Sequence, residues 1–397
     1  MALRSGHLAL VAAIGLAAAL SVPPTATPAN GIDTQRAEAA LDPARAGAQL
    51  RTQAQRYHRL SVSWQPLSQG PPLKPGDYGP RVRQLYRIMQ LYGDHQGLPG
   101  PLQNSTGLDL QRFDGSLQRA LEHYQWRHGL EPTGWLDRYT RRELAVPPRT
   151  RARQLEVNAD RWEKLSLPKE RPYVLVNVPA YQLQLVEKGR VVLRMKTVVG
   201  KTSTRTPELR TRITNIVFNP TWTVPRNILL TELLPKARNN PGAMHRRGYR
   251  VISYGGGNTV PITEDSLSRA AAGQATLRQM GGPENSLGRV KFIVPNNQAI
   301  FLHDTQAQSL FERRQRAFSH GCVRLKEPEE LAYALLRRQG WDRVSVARAT
   351  AAGERVNIRV ERPPRLVITY ITAWVDNSGQ VQFRRDIYHR DPSDESD

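Results

Sequence analysis

One cysteine stands among 397 residues, so the chain can form no intrachain disulfide. Acidic side chains are scarce as well: 35 Asp and Glu against 57 Lys and Arg leave a formal charge of +22. No internal stretch approaches the ~20 apolar residues that a membrane span requires. A second Cys/His cluster is missing, which disfavours a four-ligand zinc site built on Cys322, His303 and His320. Gly255-Gly256-Gly257 has no Lys-Ser/Thr after it, so a phosphate-cradling loop is not expected there. Internal repeats, zinc fingers, recognition-helix patterns and basic-aromatic ribonucleoprotein motifs are lacking too. These gaps leave no cofactor, no metal and no nucleic acid among the expected partners.

What remains has the composition of soluble globular protein, 39% hydrophobic and 23% charged, with length for two or three domains. The N-terminus differs from the rest. Met1 to His7 carries Arg4, Leu8 to Val22 is an almost unbroken Ala/Leu/Val/Gly run, and small residues and prolines follow through Ala29. That order predicts a secretory signal over 1–29, with an uncleaved anchor as the competing reading. No cysteine lies near the cleavage region, which excludes a lipoprotein anchor. For an exported basic chain, an acidic wall polymer or a lipid headgroup surface is the expected contact, with a merely solubilising charge as the alternative. The sequence sets no oligomeric state.

Residues 30–72 read as a linker with short helices, closed by the turn chemistry of Pro71 to Asp77. A helical module is expected over 73–147. Val82, Leu85, Met89 and Tyr92 form one amphipathic stripe that Gly93 can close. Asp114 can cap a second helix carrying Leu117, Leu121 and Tyr124, and a third runs from about Asp137 to Leu144. A basic connector spans 148–170. From 171 to 391 the pattern is mostly β, beginning with Tyr173 to Val178 and a hairpin that turns at Lys188-Gly189. A glycine- and turn-rich insertion at about 223–276 reads as mobile, a candidate lid. Residues 392–397 form an acidic tail.

The chemistry gathers at Ser319-His320-Gly321-Cys322-Val323-Arg324. A free cysteine is by default a small buried hydrophobe. Here glycine allows close approach of a substrate, and a flanking imidazole and guanidinium favour the thiolate. His303, nineteen residues before Cys322, stands at the end of a predicted strand. A nucleophile and a base on separate segments, brought together by the fold, are what covalent catalysis by cysteine requires. Papain-type proteolysis is disfavoured, because there the histidine follows the cysteine.

The stretch 319–324 with His303 resembles the signature of the L,D-transpeptidase (YkuD-type) catalytic domain. Thr197-Val198-Val199-Gly200-Lys201 with Thr206-Pro207, and Arg278 to Phe292, resemble further parts of that domain, and Tyr370 to Trp374 with Phe383 to Tyr388 resemble the C-terminal strands of its large Gram-negative members. Residues 77–144 resemble a three-helix peptidoglycan-binding module, whose Tyr124, Trp126 and Trp135 are either sugar-stacking faces or core. The resemblance implies a multidomain chain: the three-helix module, then a mostly-β catalytic domain with an inserted capping segment. It implies a periplasmic enzyme of cell-wall biogenesis, acting on peptidoglycan stem peptides and glycan and targeted by carbapenems. In that reading Cys322 is the nucleophile and His303 the base, with the Asp304 main chain orienting the imidazole. Gly321 and Cys322 N–H groups serve the oxyanion, and Arg324, Ser319 and His320 contact substrate or brace the loop. Arg324 is either a carboxylate holder or half of a structural salt bridge. The alternatives are a same-fold enzyme that attaches proteins to the wall and a wall-binding scaffold without activity.

Overall fold

The computed structural model describes residues 38–95, 110–254 and 256–392. The expected signal at 1–29, Gly255 and all but the first residue of the acidic tail lie outside them. No helix among the described residues is long and apolar enough to cross a membrane.

Five helices precede the sheet: α1 (Pro43–Ser63), α2 (Pro80–Tyr92), α3 (Gly115–Arg127), α4 (Arg138–Leu144) and α5 (Pro148–Glu163). Local signals set their ends. Asp42, Asp114 and Asp137 cap α1, α3 and α4 through their side chains, and Gly93 closes α2 in the left-handed region at φ 79°. Residues 30–72 depart from expectation, because 43–63 form one helix of 21 residues rather than short pieces. Its apolar stripe is thin, with Ala46, Leu50, Ala54 and Tyr57 among Arg and Gln, so periodicity alone understates it. Tertiary packing supplies the rest. Gly47 lets α1 close on Ala159 of α5, where a Cβ would come within 3.3 Å of that carbonyl. Arg51 then forks onto Asp160 and Glu163 of α5 at 2.8 Å each.

The main sheet is mostly antiparallel. Its order runs Val356–Arg359, Asn215–Phe218, Val290–Ile293, Leu302–His303, Val323–Leu325, Arg190–Gly200, Gln182–Glu187, Tyr173–Asn177, Arg365–Thr369, Leu209–Arg212. The turn at Lys188-Gly189 has φ 49° and 69°, a left-handed pair that suits a two-residue hairpin. Tyr173, Leu175, Val186 and Val367 of the sheet share one core with Tyr57, Leu85, Leu121 and Leu155 of the helices. Helices and sheet are thus one packing unit.

The interruption between strands is itself folded. Trp222–Thr223, Ala275–Gln279, Tyr249–Ser253 and Thr259–Val260 form a separate four-stranded sheet. Short helices pack on it around Leu229, Leu233, Ala237, Met244, Val251 and Leu277. The glycine-rich reading of this segment passed over those strands, because each is short and lies between turn residues.

The end of α3 is tied by a buried charge pair. Arg127 donates to Asp94 from Nε at 2.6 Å and Nη2 at 2.5 Å, and from Nη1 to the Tyr57 hydroxyl at 3.1 Å. Burial raises the Asp94 pKa, yet the charge and hydrogen bonds of Arg127 outweigh it and hold the carboxyl below its usual range. Arg127→Ala removes the buried cation and leaves the carboxylate only the His123 imidazole, 2.7 Å away, as a side-chain partner, a cost of about 3 kcal/mol. Urea unfolding at pH 7 measures it, and Asp94→Asn with Arg127→Met should recover much of the loss.

Candidate active site

Three adjacent strands place a row of side chains on one face. Lys291 pairs with His303 across the antiparallel ladder, and His303 pairs with Arg324 across the parallel one. Residues directly opposite in a sheet project to the same side. Cys322 stands two residues before Arg324, and Phe301 two before His303, so alternation sets them on that face one step along. The Val323 N–H donates to the Phe301 carbonyl at 3.1 Å and continues the pairing into this step. The sulfur and the imidazole are therefore diagonal neighbours, a separation of roughly 7 Å between side-chain roots that long side chains close.

His303 is buried, and its Nδ1–H donates to the Asp304 carbonyl at 2.5 Å. A carbonyl only accepts, so this bond fixes the tautomer and leaves Nε2 with its lone pair free for a proton. Burial, then the charge of Arg324, with a smaller effect of Lys291, push the His303 pKa down to about 3. The imidazole is consequently neutral at physiological pH. The Asp304 carboxylate faces elsewhere, accepting the Arg289 N–H at 2.8 Å and the Thr305 N–H at 2.6 Å. Gly288, at φ 62°, makes room for it, since a Cβ there would sit 2.3 Å from the carboxyl group.

The loop carrying the cysteine is held from behind. Ser319 Oγ donates to the Cys322 carbonyl at 2.5 Å and accepts the Gly321 N–H at 3.1 Å. Thr206 Oγ1 donates to the Gly321 carbonyl and accepts the Gly200 N–H, both at 2.8 Å. The Tyr388 hydroxyl donates to the Gly200 carbonyl at 2.6 Å and accepts the Thr206 N–H at 3.0 Å. Gly321 has φ 117°, where a side chain is strained and its Cβ would meet Ile300 at 3.2 Å. The Gly321 N–H, expected to serve an oxyanion, donates to Ser319 Oγ in this turn. The Cys322 N–H has no hydrogen-bond partner among the described residues.

Cys322 is half-buried, and its Sγ–H donates to the Ala299 carbonyl at 3.7 Å. Ala299 sits in the left-handed region at φ 55°, an uncommon state for a residue with a side chain. Burial raises the thiol pKa, against the pull of a backbone hydrogen bond at Phe301 and the charges of Lys291 and Arg324. Arg324 forms no ion pair among the described residues, and its Nε is buried without a hydrogen-bond partner. His320 turns away from the pair, with Nε2 2.5 Å from Glu232 Oε1. Glu232 belongs to the π-helical turn Leu229–Leu233 of the inserted segment. No group of three or more His, Cys, Asp or Glu that could hold a metal gathers among the described residues.

Cys322, His303, the Asp304 carbonyl and Arg324 thus meet on one face, with Ser319 behind the loop and His320 toward the insertion. Lys291, Glu232, Thr206 and Tyr388 were not singled out as site residues by sequence. Thr206, Tyr388 and Lys291 lie in the stretches that carried the family resemblance, which was the available signal. Nothing in the sequence pointed to Glu232.

Residues 171–358 match the family model YkuD, the L,D-transpeptidase catalytic domain. A curated Haemophilus influenzae protein named "Putative L,D-transpeptidase" is 32% identical over 238 residues, covering 60% of this chain and 48% of the relative. The chain therefore spans about half the length of that relative. Among solved structures, an L,D-transpeptidase from Stackebrandtia nassauensis is 12% identical with a TM-score of 0.28, covering 77% of this chain and 97% of its own. One from Mycobacterium smegmatis is 11% identical with a TM-score of 0.26, covering 50% and 58%.

Two measurements probe the geometry directly. Thr206→Val removes both bonds behind the loop and leaves the Gly200 N–H and Gly321 carbonyl unmet, which should cost about 1–3 kcal/mol in thermal or urea unfolding. The pH dependence of alkylation reads the thiol. Because burial favours the neutral form, the iodoacetamide rate should keep rising with pH beyond 9, the ordinary thiol value, instead of levelling below it.

Proposed function

With residues 171–358 matching the model of the L,D-transpeptidase catalytic domain, we propose that this chain crosslinks peptidoglycan, joining the third residue of one stem to the third of another. The observation that carries the reading is the parallel pairing of Leu302–His303 with Val323–Leu325, which gives the lone sulfur a neutral imidazole as diagonal neighbour.

Nε2 of His303 takes the proton of the Cys322 thiol as sulfur attacks the carbonyl after the third residue of a tetrapeptide stem. The negative oxygen of the tetrahedral intermediate is met by the Cys322 N–H, an interaction worth about 3 kcal/mol in such sites. The C–N bond breaks, and the amine of D-alanine leaves with the proton held by the imidazolium. The thioester is then attacked by the side-chain amine of a second stem. Its C–S bond breaks, and the thiol is restored. The unpaired guanidinium of Arg324 supports binding of a substrate carboxylate.

The remaining parts take supporting roles. The folded insertion acts as a lid over the cysteine loop, a role supported by the bond between Glu232 and His320. The helical region before the sheet contacts wall glycan. In favour of this, Trp126 of α3 and Trp374 line a cleft with Asn177, Gln184 and Gln382, aromatic faces beside amides. The 1–29 segment exports the chain to the periplasm, where its basic surface meets the acidic wall.

Purified protein incubated with isolated sacculi, followed by digestion and muropeptide analysis, tests the reaction. New third-to-third crosslinks should appear with the wild type and be lost in Cys322→Ala, while both proteins sediment with sacculi. Equal crosslinking by the mutant refutes the mechanism, and adducts of protein on stem peptides would identify an attachment enzyme instead. A carbapenem should add its mass once, at Cys322. An intact mass without that adduct speaks for a wall-binding protein that does no chemistry.

A further inference from the structure

Lys291 takes no part in the proton path above, yet it stands in the same row. It pairs with His303 from one side while Arg324 pairs with it from the other, so the imidazole sits between two cations two strand spacings, about 10 Å, apart. Its Nζ lies 3.9 Å from the centre of the Phe301 ring, which in turn lies 5.5 Å from the His303 ring. No carboxylate pairs with Lys291 among the described residues. The charged and titratable groups around the sulfur are His303, Lys291 and Arg324, with Arg355 beyond Lys291. The Asp304 carboxylate is turned to the Arg289 and Thr305 amides.

We propose that Lys291 is a positioning residue whose charge, held over Phe301 and paired across the ladder with His303, tunes the Cys322–His303 pair. The inference deepens the transpeptidase reading and rests on that pair being the reacting one. A cation beside an imidazole opposes its protonation, and the same cation beside a thiol favours loss of its proton. Burial is the largest influence on both groups; for both, Lys291 acts in the downward direction. Its charge therefore adds to the burial and the Arg324 charge that keep the imidazole unprotonated, while offsetting part of the cost of a buried thiolate. A residue that merely filled space would change neither titration.

The test follows both titrations in the full chain. Iodoacetamide alkylation of Cys322 is measured against pH for wild type, Lys291→Met and Lys291→Arg, and the His303 imidazole is followed by NMR. In Lys291→Met the alkylation midpoint should rise by about one pH unit, so that below it the rate falls roughly tenfold at a given pH. His303 should titrate higher than its wild-type value of about 3. Lys291→Arg should retain both values. Lys291→Gln gives the same comparison if the methionine variant fails to fold. Profiles of Lys291→Met that overlay wild type, or an arginine variant displaced as far as the methionine one, overturn the proposal. Alkylation needs no peptidoglycan, so a null result in crosslinking leaves this test readable, and an unmoved titration leaves the crosslinking reaction standing.

Discussion

The site depends on a short parallel ladder, Leu302–His303 against Val323–Leu325, flanked on both sides by antiparallel pairings, with Val290–Ile293 and with Arg190–Gly200. Parallel partners cannot be joined by a tight turn, so the chain between them must loop out. That excursion ends in the Ser319 to Cys322 turn, which delivers the sulfur to a fixed register position beside the imidazole. A one-residue slip would reverse the facing of the whole row. Thr206, Gly200 and Tyr388 guard against such a slip by anchoring the turn to the long strand Arg190–Gly200 and to the chain near its C-terminal end.

Electrostatics complete what register begins. The imidazole is buried between two cations and stays neutral; the thiol is buried and stays protonated. The resting pair is therefore uncharged. Such a site differs from one that stores a thiolate–imidazolium pair. A buried neutral thiol is less reactive toward electrophiles than a thiolate.

Much of this was legible beforehand, for identifiable reasons. Cys322, His303 and the Gly321 turn showed themselves because reactive residue types stood beside a glycine at a spacing that only a fold could close. The hairpin at Lys188-Gly189 followed from β-branched runs around a turn pair. Other features depended on partners far away in sequence. Helix α1 draws its stability from α5, and its own sparse stripe of Ala, Leu and Tyr gave a weak signal. The strands of the insertion, two to five residues each, fell below what alternation can reveal. The bond from Ser319 to the Gly321 N–H arises from the tightness of the turn, which spacing cannot convey. Glu232 reaches His320 across 88 residues, and no local pattern could have linked them.

The sheet also decides where this molecule can be cut. Arg365–Thr369 lies beyond the residues that match the family model, yet it is inserted between Tyr173–Asn177 and Leu209–Arg212. Tyr388 lies further along still, with its hydroxyl wedged behind the reactive turn. A fragment trimmed to 171–358 would lose an internal rib of its sheet, bare the apolar face that the helices cover, and leave the Cys322 turn without its backstop. Crystallisation or screening pieces of this protein should therefore begin ahead of α1 and run through Asp391, whose carboxylate still clasps Arg161 of α5.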